Sequence, residues 1–482
     1  MPRPAAASIP RNRRLALALL CAATLMTIVD ETVVSVALPT IQRDLGFATS
    51  DLSWVVNAYL IAFGGLLLLA GRIGDLVGRR RVLLAGLSLF VAASVMCGVA
   101  PSAQWLVAAR FVQGAGGALA AAVALGMVVA LFDDPRQQAR TIGVYSFVGA
   151  SGASIGLFLG GLITDVAGWR WVFFINVPFG VATVLAGRRV LTGETGPGLR
   201  QGADVAGAGL LVTGLMLAIV AIVDGAARAL AVPAAILLVL FAVRQVTAAR
   251  PLIALEVLRS RIVVGANAAH ALLVGAMFGF QFLVTLYFQR VLGYSPAQAG
   301  LGVLPVAVGI GAMSLLVFPQ VNARFGARAA LLPGLLAIAA GLALLSRVPV
   351  DGRYLTDVAP SIALFALGGG LTLPAIMTIA MSGATPQTAG LASGLINTSQ
   401  QVGGALGLAI LASLAAGRAG DRAAGGAAPD AALVGGFHLA WGVGASYVLA
   451  ALALAVVVLR APRTAPEDAG AADRSCDSPA AA

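Results

Sequence analysis

A chain of 482 residues in which 59% are hydrophobic and only 11% charged lies far from soluble globular domains, where about a quarter of residues carry charge. Its formal charge of +11 does not point to nucleic acid, because there is no lysine and the 31 arginines are scattered through short polar segments rather than gathered on one basic stripe. Three cysteines, Cys21, Cys97 and Cys476, show neither paired nor metal-ligand spacing, so no disulfide framework or metal centre is expected.

From the N-terminus, Arg3, Arg11, Arg13 and Arg14 lead straight into a full-length apolar run rather than to a cleavage site. Runs long enough to cross a hydrocarbon core follow at 15–38, 52–71, 81–99, 104–131, 141–163, 170–187, 205–224, 230–246, 263–287, 298–318, 329–346, 358–381, 390–413 and 435–459. That pattern predicts an all-α integral membrane protein with fourteen spans. The polar segments on the N-terminal side carry 22 arginines and those on the opposite side 8, with Arg110 left inside the fourth span. By the positive-inside rule both termini are therefore cytoplasmic. The stretch 414–434, rich in Ala and Gly, reads as a mobile linker, and the polar tail as disordered.

A weak internal repeat underlies this count. Gly78-Arg79-Arg80-Arg81-Val82-Leu83-Leu84-Ala85-Gly86 returns as Gly326-Ala327-Arg328-Ala329-Ala330-Leu331-Leu332-Pro333-Gly334, each where a second span joins a third. Parallel repeats of this kind build transporters that rock two halves around a midplane site. The expected organisation is a cytoplasmic segment 1–14, an N-terminal six-helix half 15–190, two inserted helices in 191–250, a C-terminal six-helix half 251–460 and a disordered cytoplasmic tail 461–482.

Within the first span, Thr27 to Pro39 places adjacent carboxylates, Asp30 and Glu31, in an otherwise uncharged run. An ionised carboxylate in hydrocarbon costs several kcal/mol, so such acids face a partner or a water-filled cavity. Counted from Leu15 with Pro39 as the stop, Asp30 falls in the outer half of the span. The two acids point about 100° apart around the helix.

After the second span the chain reads Gly71-Arg72-Ile73-Gly74-Asp75-Leu76-Val77-Gly78-Arg79-Arg80-Arg81, which resembles the signature loop of the major facilitator superfamily. Gly71 and Gly78 are expected to allow tight backbone approach, and Asp75 to hold Arg79 in one transport state and release it in another, with Arg80 in the same gate. Arg110-Phe111-Val112-Gln113-Gly114-Ala115-Gly116-Gly117 is similar to the superfamily's Arg-x-x-Gln-Gly-x-Gly element. An arginine there needs a carboxylate, a carbonyl or water beside it, and Asp30 or Glu31 is available. In the fifth span Gly152, Gly156, Gly160 and Gly161 form a small-residue run suited to close helix packing and resemble the antiporter motif of drug exporters. Leu157 stands where many members have proline, which weakens the match.

Three further stretches, from Asp30 to Pro39, from Trp169 to Gly180 and from Gly293 to Pro305, together with fourteen spans, look like the 14-helix drug:proton antiporter family. Ser35, where that family often has Asn, is a small departure. The resemblance covers residues 15–460. It implies export of hydrophobic or cationic, antibiotic-like compounds across a bacterial cytoplasmic membrane by a monomer, driven by the proton-motive force without a cofactor. Its motif selects Asp30 as the proton site, with Glu31 assisting or facing a neighbouring helix and Arg110 as counter-charge.

Candidates for an amphipathic substrate's cavity are Asn57, Tyr59 and Gln113, with Gln281, Tyr287, Asn397 and Gln401 from the second half. His270 and His438 read as packed or interfacial histidines. No P-loop, His-Glu-x-x-His or Gly-x-Ser-x-Gly pattern is present, so the chain is not read as an enzyme. Two other functions stay open, a dedicated exporter of one endogenous metabolite and a non-transporting membrane sensor.

Overall fold

The computed structural model describes residues 11–48, 51–131, 135–191, 204–223, 225–248, 251–252, 260–382 and 389–458. Among them there is no β-strand. A first bundle comprises α1 (Arg11–Leu45), α2 (Trp54–Val77), α3 (Arg79–Gly98), α4 (Ala103–Ala130) and α5 (Pro135–Ala167), then a sixth crossing split into α6 (Trp171–Phe174) and α7 (Asn176–Val190). An inserted pair follows, α8 (Val205–Val223) and α9 (Ala231–Thr247). The second bundle contains α10 (Arg261–Leu286), α11 (Pro296–Ala312), α12 (Phe318–Phe325), α13 (Ala327–Leu345), α14 (Ala359–Ser382), α15 (Ala389–Ala424) and α16 (Pro429–Val457). π-helical turns extend α10 at Tyr287–Val291, join α11 to α12 at Met313–Val317 and lead into α14 at Tyr354–Val358.

Thirteen helices among the described residues are long and apolar enough to cross a membrane, and α5, 33 residues long, completes fourteen. The face on which α1 begins is called the N-terminal face below, and the opposite one the far face. The inserted pair is tied together by Asp204, whose Oδ1 accepts from the Gly207 backbone at 2.9 Å, capping α8, and from Arg244 Nε at 2.6 Å.

Three expectations change. Pro39 lies inside α1 rather than ending it, because a membrane helix tolerates a lost backbone bond where neighbours supply others. Near that loosened turn, the Val36 carbonyl accepts from Gln289 Nε2 of α10 at 2.9 Å. With α1 running to Leu45, Asp30 has 15 residues of helix beyond it, about 22 Å, and sits near mid-helix rather than in the outer half. Finally, 414–424 continues α15, and only 425–428 links it to α16. Alanine is the best helix former; the turn comes at Gly426, φ +84°, and Pro429 opens the next helix. The tail expected over 461–482 and all but the last four residues of 1–14 lie outside the described residues.

Where α2 and α15 cross, Gly64 meets the Cβ of Gln401. Hydrogen bonds join the two bundles toward the far face. They include Gln289 to Val36, Arg290 to Gln42, and Asp165 Oδ2 of α5 accepting from Ser295 Oγ at 2.8 Å and the Ala297 backbone at 3.0 Å beside α11. The bundles are thus closed on that side.

Candidate functional site

Five helices of the first bundle converge on Asp30. From α4, Arg110 and Gln113 project from one face, three residues apart. Arg110 Nη1 donates to Asp30 Oδ2 at 2.6 Å and to Gln113 Oε1 at 2.7 Å, while its Nε donates to the Val55 carbonyl of α2 at 3.0 Å. Asp30 Oδ1 accepts from Gln113 Nε2 at 2.8 Å and from Asn176 Nδ2, at the start of α7, at 2.7 Å. On α3, Ser94 Oγ accepts from Gln113 Nε2 at 2.9 Å and donates to the Phe90 carbonyl at 2.8 Å. The Tyr59 ring lies 4.4 Å from the Arg110 guanidinium, in cation–π range.

This site is sealed. Asp30 is 1% exposed, Arg110, Gln113, Ser94 and Tyr59 are 0%, and Asn176 is 2%. Removing two charges from water is costly, and the cost is offset only when remaining donors and acceptors are also satisfied. Here both carboxylate oxygens and the guanidinium have partners, so Asp30 and Arg110 form a neutral, hydrogen-bonded unit tying α1, α2, α3, α4 and α7 together. The sequence left Arg110 open to an interfacial position, since it is only the eighth residue of α4. Asp30, seated deeper in α1 than the sequence indicated, instead lies beside it.

Glu31 behaves differently. It is half-buried, and among the described residues its carboxylate has no hydrogen-bond or ion-pair partner; only its backbone carbonyl accepts, from Ser35.

Several cavity candidates move elsewhere. Tyr59 and Gln113 belong to the sealed network. Asn57 is 0% exposed with both amide atoms unpartnered, packed among helices rather than lining an open cleft. Tyr287 donates to the Pro349 carbonyl at 2.8 Å and meets Trp441 edge-on at 6.0 Å, which makes it part of the far-face packing of the second bundle. Gln401 is 5% exposed at the α2–α15 crossing, whereas Gln281 and Asn397 are half-buried, with the Gln281 amide nitrogen itself buried and without a hydrogen-bond partner. His270 and His438 are packed, the latter against the Val348 carbonyl at 2.7 Å.

The signature loop keeps its ion pair, Arg79 Nη2 to Asp75 Oδ1 at 3.1 Å, and Arg80 donates to the Arg188 carbonyl at the end of α7. The expected close approach is not at Gly71, where a Cβ would meet nothing within 4 Å, but at Gly74, where it would collide with the Val123 side chain of α4. Gly78 has φ +106° and separates α2 from α3. Gly78→Ala is therefore expected to cost about 1–3 kcal/mol, read as a fall in the thermal unfolding midpoint with the helix content unchanged.

On α5, a Cβ at Gly152 would meet Leu25, at Gly156 Thr32 and at Gly160 the backbone of Val33, all on α1. The adjacent Gly161 faces the other way, where an added Cβ would lie 2.6 Å from the Pro296 carbonyl oxygen and 2.7 Å from the Ala297 Cα of α11. One small-residue run thus holds α5 to its own bundle and to the opposite one.

Asn176 and Ser94 were not singled out as site residues. Asn176 had a legible signal, an amide in the apolar run Phe173-Phe174-Ile175-Asn176-Val177, since a buried amide requires partners. Ser94 had none.

The family model of the Major Facilitator Superfamily matches residues 20–408. The chain belongs to the Major Facilitator Superfamily. Among its relatives, the puromycin resistance protein pur8 of Streptomyces alboniger is 36% identical over 456 residues, covering 92% of this facilitator and 90% of the relative. The cephamycin export protein CmcT of Amycolatopsis lactamdurans is 38% identical over 406 residues, 82% of this chain and 84% of that one. In fold, the facilitator is similar to an auto-inhibited POT family peptide transporter, with a TM-score of 0.69 at 14% identity over 95% of this chain and 99% of that one. It is a multi-pass membrane transporter whose relatives include antibiotic exporters, and it is not an enzyme.

Proposed function

We propose that the facilitator exports amphipathic, drug-like compounds across the bacterial cytoplasmic membrane in exchange for inward protons, by alternating access of its two bundles. The observation that carries this reading is the sealed Asp30–Arg110 pair beside a second, unpaired acid, Glu31. Such a site changes its charge balance when one proton enters or leaves, and its five-helix attachment turns that change into helix movement. The relatives named for puromycin resistance and cephamycin export support the substrate class. The arginine bias, 22 against 8, makes the N-terminal face cytoplasmic, so this conformation is closed on the outside. The Asp75–Arg79 loop serves as the cytoplasmic gate. No cofactor enters the cycle, and one chain contains every element it uses.

The test is a drug-susceptibility panel on cells expressing wild type and Asp30→Asn, with and without a protonophore. Resistance should require wild type and disappear with the protonophore; resistance that survives it would overturn proton antiport. A second reading, dedicated export of one endogenous product, is favoured by relatives that are each named for a single compound. Protection against one compound only, with its biosynthetic genes adjacent, would select it.

A further inference from the structure

We propose that Glu31 is the exchange site at which a proton and the cationic group of the exported compound replace one another, and that Asp30 is a positioning residue held against Arg110. The inference rests on the proton-coupled export reading and assigns its chemistry to one side chain.

Adjacent acids with divided environments are the pattern that separates a fixed charge from an exchanging one. Asp30 accepts three charge-assisted or amide hydrogen bonds and is 1% exposed. A proton reaching it would have to displace Arg110, Gln113 or Asn176 and leave Arg110 as an unpaired buried cation. Glu31 has no such partner to lose.

Helix geometry shows where Glu31 faces. Gln42, eleven residues further on, lies within about 20° of it around α1, and Gln42 accepts from Arg290 of α10 in the opposite bundle. Asp30, about 100° away, faces α4 and α7 instead. The third side of α1 is covered by α5 through Gly152, Gly156 and Gly160. Glu31 is thereby on the side of α1 that looks between the bundles.

The charged and titratable groups close enough to act on Glu31 are Arg110 of α4, Asp30 of its own helix and Tyr59 of α2. Arg110 is already matched by Asp30. The described residues of α5 opposite this part of α1 are uncharged. From α10 come Gln281 and Gln289, with Arg290 bound to Gln42 further toward the far face. Among the described residues the Glu31 carboxylate thus has no ion-pair partner of its own. A proton supplies one and so does a substrate ammonium or phosphonium. When the cation arrives the carboxyl O–H bond breaks and one proton leaves, so the site's net charge is the same before and after.

The test uses purified full-length protein and tetraphenylphosphonium as probe. In wild type, affinity should rise about tenfold for each unit by which pH is raised while the carboxyl is still protonated, with one proton released per cation bound in unbuffered solution. Glu31→Gln should bind at least roughly tenfold more weakly, with no pH dependence and no proton release. Glu31→Asp should restore the release, which distinguishes exchange from a folding defect. Proton release retained in Glu31→Gln would overturn the inference. So would wild type that fails to bind the cation while exporting neutral compounds in a protonophore-sensitive way, although the export reading would then stand. Cation binding with proton release, but resistance insensitive to protonophore, would fail the export reading alone.

Discussion

Arg110→Met should destabilise the protein by about 3–5 kcal/mol, because it leaves Asp30 as a buried carboxylate without its cation. The amides of Gln113 and Asn176 would still donate, but they carry no full charge, and the Val55 carbonyl would lose its donor. The double substitution Asp30→Asn/Arg110→Met should recover most of that loss, since an uncharged pair of similar volume often replaces a buried ion pair at little cost. Thermal unfolding of the two single variants and the double variant in detergent gives the coupling through a double-mutant cycle. A double variant no more stable than Arg110→Met would show that the pair is not the energetic unit its geometry indicates. Transport should be lost in all three, because stability can be restored without restoring the charged pair that positions the five helices.

The second large effect is expected at Gly161. Its Cβ position lies 2.6 Å from the Pro296 carbonyl and 2.7 Å from the Ala297 Cα, both backbone atoms that cannot rotate away. Gly161→Leu should therefore push α5 and α11 apart where Asp165 bonds Ser295 and Ala297, and disfavour the state closed on the far face. Transport should fall at least roughly tenfold, since a shift of about 1.4 kcal/mol between states already changes their ratio by that factor. In a background lacking native cysteines, a cysteine at Ser35 should be labelled faster by an impermeant reagent from the far side. Unchanged labelling with lost transport would place the defect elsewhere.

The spans were legible because apolar runs of membrane length have one physical explanation. Their ends were not. Pro39 resembled a helix stop, yet the helix runs on past it to residues used at the far face: Gln42 Nε2 donates to the Phe47 carbonyl and Asp44 accepts from Trp169 and Arg170. That error displaced Asp30 from mid-helix and made its contact with Arg110 uncertain. The linker over 414–434 failed for a related reason, since Ala and Gly together suggest low complexity while alanine alone favours helix. Among the cavity candidates, polarity within a span did not distinguish a half-buried side chain, such as Asn397, from one sealed in a network, such as Gln113. Only tertiary contacts separate them.

The two glycines at the end of the α5 run have a bearing on how such a pump can change its range. Every replacement of Gly160 or Gly161 adds a Cβ, and at each position that carbon meets backbone, Val33 on one side and Pro296 on the other. Neither neighbour can make way by changing rotamer. Under selection with an unfamiliar antibiotic, gain-of-resistance substitutions should therefore spare this pair and accumulate at half-buried positions such as Gln281 and Asn397, so that adaptation redraws the cleft while leaving the hinge chemistry fixed.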